Sequence, residues 1–107
     1  MVCSLRTFIL LFTITLIFAQ DPEGLLSIGE SQLSSGDYSE AELSFNSALQ
    51  ADPSFAPALQ ALSKLYLHKG DLNKANDYSN QAVQADEDFR EWANQIGKII
   101  EHVQNGK

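Results

Sequence analysis

LQADPSF, residues 49–55, returns as VQADEDF at residues 83–89. Gln50, Ala51, Asp52 and Phe55 recur thirty-four residues later as Gln84, Ala85, Asp86 and Phe89, and laying the chain on itself at that offset carries the correspondence outward. Gly36 falls on Gly70, Asp37 on Asp71, Ala41 on Ala75 and Ala48 on Ala82; Leu25 meets Leu59, Ile28 meets Leu62 and Leu49 meets Val83. A fixed period of this size marks stacked supersecondary units, each unable to bury its apolar face alone.

Each unit reads as two helices. Leu25, Ile28, Gly29, Gln32 and Leu33 follow the three-and-four spacing of an amphipathic helix, and SSGD at 34–37 breaks it. Gly36 suits the left-handed end of that helix, while Asp37 with Glu40 three residues on has the pattern of a capping box for the next. Ala41, Phe45, Ala48 and Leu49 then share one face up to Asp52 and Pro53. The second unit repeats the plan with Leu59, Leu62, Tyr66 and Leu67, a turn at Gly70 and Asp71, and Ala75, Tyr78, Ala82 and Val83. A fifth helix follows, its start marked by Asp88 and Glu91 and its apolar face made of Phe89, Trp92, Ala93, Ile96, Ile99, Ile100 and Val103. The expectation is an all-α helix-turn-helix repeat, an α-solenoid of about five helices, with units at 22–55 and 56–89 and a capping helix at 88–104.

These units resemble tetratricopeptide repeats, whose pattern is W-x2-L-G-x2-Y, then A-x3-F, then P. In the first unit the pattern is met by Leu25, Ile28, Gly29, Gln32, Ala41, Phe45 and Pro53; in the second by Leu59, Leu62, Ser63, Tyr66, Ala75, Ser79 and Glu87. Ser63 replaces the glycine at the close helix crossing, and Ser79 replaces the packing aromatic. The resemblance implies a non-catalytic adaptor that binds a peptide or protein segment along a concave groove lined by the first helix of each unit. Transferred by register, that groove is Leu26, Glu30 and Leu33 from the first unit, Gln60, Lys64 and Leu67 from the second, and Asn94 and Lys98 from the cap. Members that hold the acidic C-terminal tails of heat-shock chaperones use a two-carboxylate clamp of lysine, asparagine and arginine side chains. The corresponding positions here are Leu26, Glu30, Ala61, Glu91 and Gln95, and two acids there oppose a carboxylate, which excludes the clamp. A signal sequence followed by such repeats also resembles J-domain co-chaperones of the ER, although no His-Pro-Asp is present.

Other features bound the function. The opening MVCSLRTFILLFTITLIFAQ sets Arg6 ahead of an apolar run of about a dozen residues, Phe8 to Ala19. A secretory leader has an apolar region of ~7–15 residues, whereas a membrane-spanning helix needs ~20. Residues 1–19 are therefore expected to be a cleaved signal peptide delivering a product that is secreted or held in the ER lumen; the alternative is a membrane anchor formed by residues 7–19. Cys3, the only cysteine, falls within this leader. Beyond residue 20 stand fourteen acids and six cations, a net charge of −8 that repels nucleic acid and anionic lipid. A membrane enters only if the leader is retained.

The sequence carries no HExxH, no GxSxG and no phosphate-cradling glycine loop. His68 reads as a surface residue in a last helical turn, where a cation suits the helix dipole. Asp86, Glu87 and Asp88 lack the spacing of a calcium loop. No catalytic residue, metal, cofactor or small-molecule substrate is expected. The partner is a protein or peptide, or a second copy of this chain joined through Trp92, Ile96, Ile99 and Ile100.

Overall fold

A computed structural model describes residues 21–106, so the expected leader, with its cleavage or retention, lies outside the described residues. The rest is five helices: α1 Pro22–Ser34, α2 Tyr38–Ala51, α3 Ala56–Lys69, α4 Leu72–Ala85 and, after a 3-10 turn Glu87–Phe89, α5 Arg90–Asn105. Helices pair as hairpins, α1 with α2 and α3 with α4; α2 then packs on α3, α4 packs on α5, and α1 also touches α3.

The repeated residues make repeated turns. After α1 the amide of Asp37 donates to the carbonyl of Gln32 at 2.9 Å, and after α3 the amide of Asp71 donates to that of Tyr66 at 2.9 Å. Both turns pass through left-handed backbone, at Gly36 (φ 84°) and Gly70 (φ 82°), which a side chain would strain. The opening motif is built alike in its two copies. Asp52 accepts the amide of Ser54 at 3.1 Å and Asp86 accepts that of Asp88 at 3.0 Å, while Phe55 and Phe89 donate their amides to the carbonyls of Asp52 and Asp86 at 3.1 Å. Each aspartate closes one helix and shapes the turn into the next.

The capping boxes do not form. Of the two unit-internal turns, only Asp71 caps with its side chain, accepting the amide of Lys74 at 3.2 Å; at Asp37 the start rests on the backbone bond from Ala41 to the Asp37 carbonyl, 2.9 Å. Asp88 lies inside the 3-10 turn and therefore cannot stand ahead of the first amides of α5, which begins at Arg90.

Helix crossings explain the small residues. A Cβ on Gly29 would lie 2.4 Å from the ring of Phe45, which is itself fully buried. In the second unit Ser63 and Ser79 occupy those two places, and the Ser63 hydroxyl donates to the carbonyl of Ala75 at 2.7 Å. Both serines are buried, and both hydroxyls are satisfied.

The core runs through the middle of the stack: Ala41 and Phe45 of α2, Ala61, Leu62, Leu65 and Tyr66 of α3, Ala75 of α4, and Ile96 and Ile100 of α5. Three residues placed on apolar faces by periodicity are exposed instead. Ile28 is 53% exposed although its counterpart Leu62 is fully buried, because among the described residues no helix covers that side of α1. Ile99 and Val103 are 50% and 45% exposed, on the flank of α5 beyond Ile96 and Ile100. Consequently Ile96 and Ile100 are spent on intramolecular packing and are not available to a second copy.

Candidate functional site

The eight register-equivalent residues divide by burial. Leu26, Leu33 and Leu67 are half-buried, each packed against the core cluster while keeping part of its surface open. Gln60 is half-buried as well, and Glu30, Lys64, Asn94 and Lys98 are exposed. The leucines thus serve the core and line a surface at once, a division of one side chain that periodicity does not specify. Glu30, Lys64 and Lys98 stand thirty-four residues apart, at one position of α1, α3 and α5.

The second helices hold the row of first helices in place. Gln32 of α1 accepts the hydroxyl of Ser44 of α2 at 2.7 Å, and at the equivalent place in α3 the phenol of Tyr66 donates to Glu42 of the same helix. Helix α2 is therefore gripped by the same register position from both sides. Glu42 also pairs with Lys69 at 3.6 Å, the Tyr66 and Tyr78 rings stack at 5.6 Å, and Lys69 and Lys74 lie 5.3 and 5.1 Å from the Tyr66 ring centre. The bond to Glu42, then burial, raises the Tyr66 phenol well above its usual range; burial, then the charge of Glu42, raises Tyr78. This knot joins the two units. Tyr66 was visible in the pattern, but Glu42 was not, since the period relates equivalent positions and says nothing of a contact across twenty-four residues.

His68 is exposed and stacks on Tyr38, ring centres 6.1 Å apart. Trp92 is half-buried beside the α5 core residues and meets Phe89 edge to face at 6.4 Å. In the acidic run, the carboxylate of Asp86 accepts the Asp88 amide and Glu87 accepts from Arg90, which lowers the Glu87 pKa. Among the described residues no group of three or more potential metal ligands converges, and no helix is long and apolar enough to cross a membrane. A shallow polar cleft lies between the α3–α4 turn and the end of α5, lined by Lys69 to Asn73 and Gln104; none of the eight row residues borders it.

Applying the period a second time reaches a residue that the sequence reading passed over. Gly29 falls on Ser63 and then on Gly97, and Ile28 on Leu62 and then on Ile96, so α5 carries the small residue of a first helix in register. A family model described as Tetratricopeptide repeat matches residues 32–99, a span of two periods that runs into α5. The chain belongs to the tetratricopeptide repeat family. Comparison with curated proteins gave no match. Tetratricopeptide repeats commonly mediate protein–protein interaction, and their fold is generally non-catalytic. In this tetratricopeptide chain one exposed position of the first helices α1, α3 and α5 differs in charge between units, Glu30 against Lys64 and Lys98.

Proposed function

We propose that the protein is a non-catalytic adaptor that binds a peptide or protein segment along the row of first helices, through Leu26, Leu33, Gln60, Lys64 and Leu67, with Glu30, Asn94 and Lys98 at its margins. The observation that carries the reading is the half-burial of the three leucines. Their packed sides fix their positions, and their open sides offer apolar surface without an entropy cost for ordering. Polar residues beside them supply the rim that protein interfaces have. Delivery to the secretory pathway by residues 1–19, with a luminal co-chaperone as one form of the adaptor, belongs to the same proposal.

The test is affinity capture by the wild-type chain and by a Lys64→Glu, Leu67→Ala double variant, with circular dichroism verifying that the variant stays helical. Partners held by the wild type and lost by the variant support the groove; an identical set on both removes it. A second reading, self-association through α5, is favoured by the exposure of Ile99 and Val103. Monomers at micromolar concentration in sedimentation count against it.

A further inference from the structure

We infer that the segment bound along the first helices is extended and charge-ordered: a basic side chain over α1 and two acidic side chains, one over α3 and one over α5. This rests on the groove reading above and adds the chemistry of its occupant. Five cations lie among the described residues, and three are already engaged. Lys69 pairs with Glu42 at 3.6 Å, Arg90 donates to Glu87, and Lys74 sits 5.1 Å from the centre of the Tyr66 ring. Lys64 and Lys98 have no carboxylate within ion-pair reach and no ring beneath them among the described residues. They are the two cations that share one register position, and the third residue at that position, Glu30, is exposed and has no cation paired with it among the described residues.

Residues beyond the leader carry a net charge of −8, so two open ammonium groups on successive first helices form a local exception to the field of the molecule. At physiological salt a charge acts over ~8 Å, so a bound segment responds to this local sign, not to the net charge. Packed helices lie ~8–10 Å apart and an extended chain advances ~3.3 Å per residue, so the step from α1 to α3, which touch, matches about three residues of ligand, and a similar step is inferred from α3 to α5, whose core residues share one cluster. The expected pattern is a base, an acid about three residues on and a second acid about three beyond, with apolar side chains between them to meet Leu26, Leu33 and Leu67. Neither lysine stands at a clamp position, so the acids are side chains within the segment and a free C-terminus is not required.

The probes are acetylated, amidated ten-residue peptides bearing Arg, Asp and Asp at three-residue spacing with leucines between, synthesised in both chain directions, and the same peptides with Arg and Asp exchanged. Fluorescence anisotropy with the full chain is expected to show one direction of the Arg-Asp-Asp pattern binding about tenfold more tightly than its exchanged form, a gap of the size that two or three surface ion pairs turned repulsive produce. The triple variant Glu30→Lys, Lys64→Glu, Lys98→Glu, all at exposed positions, is expected to reverse that preference. Equal binding of all peptides, weakened by Leu67→Ala, overturns the charge order and leaves the groove standing. Binding that neither variant alters, or no binding by any peptide, overturns the charge order, and the capture experiment above then decides the groove independently.

Discussion

Two glycines two periods apart, Gly29 and Gly97, have opposite surroundings, and the difference is measurable. Gly29 is buried where a Cβ would meet the Phe45 ring at 2.4 Å, and that ring, fully enclosed, cannot swing aside. Gly97 sits in the interior of α5, where a Cβ would meet nothing within 4 Å. Alanine favours a helix interior over glycine by ~1 kcal/mol, and overpacking costs ~1–3 kcal/mol. Gly97→Ala is therefore expected to stabilise by about 0.5–1 kcal/mol and Gly29→Ala to destabilise by up to about 2 kcal/mol. Thermal unfolding reads both, since 1 kcal/mol shifts the midpoint of a chain this small by roughly 4–8 °C. Equal shifts of one sign would refute the contrast. The same pair marks what the sequence can convey: the family resemblance placed Gly29 at a close crossing, but whether a crossing helix exists beside Gly97 is a property of the neighbours, not of the residue.

Between elements, the contact to test is the phenol of Tyr66 in α3 on Glu42 in α2. A hydrogen bond to a charged acceptor contributes ~1.5–3 kcal/mol, part of which Lys69 keeps for Glu42 in the variant, so Tyr66→Phe is expected to lose about 1–2 kcal/mol at neutral pH. The pH dependence has a definite sign. The Tyr66 pKa is raised in the folded chain, so the folded state holds a proton that the unfolded chain releases above its ordinary value near 10. The stability from this bond is complete below about pH 10 and falls as pH rises further. Urea midpoints measured at pH 8, 10 and 11 are expected to decline less steeply in Tyr66→Phe than in the wild type; parallel declines would exclude Tyr66 as the cause. Helix breaks at Gly36, Pro53 and Gly70 were legible because each is a local property of the chain. This contact was not, because it depends on how one hairpin docks on the next.

For the whole molecule the period indicated the architecture and the family resemblance the positions of the candidate row, and neither decided which apolar residues the stack would cover. Ile28 and Leu62 are equivalent in sequence, yet one is half exposed and the other enclosed, because burial in a stack is decided by the units on either side. The half-buried leucines of the row show the same limit, since a residue shared between core and surface has no distinct periodic signature. Unequal covering implies unequal local stability. Helix α3 buries eight of its residues against neighbours on both sides, α1 buries only Gly29, and the last residues of α5, 101–105, are all exposed. Local opening follows the number of buried apolar contacts that must be broken, so amide hydrogen exchange is expected to be slowest in α3 and fastest in α1 and the last turns of α5. If α1 proved as protected as α3, something outside residues 21–106 would have to cover Ile28. If the gradient is found, the row that carries Lys64 and Leu67 rests on the firmest helix of the stack, while Leu26 and Glu30 stand on a helix that opens more readily. A ligand spanning both would then protect α1 more than α3 on binding.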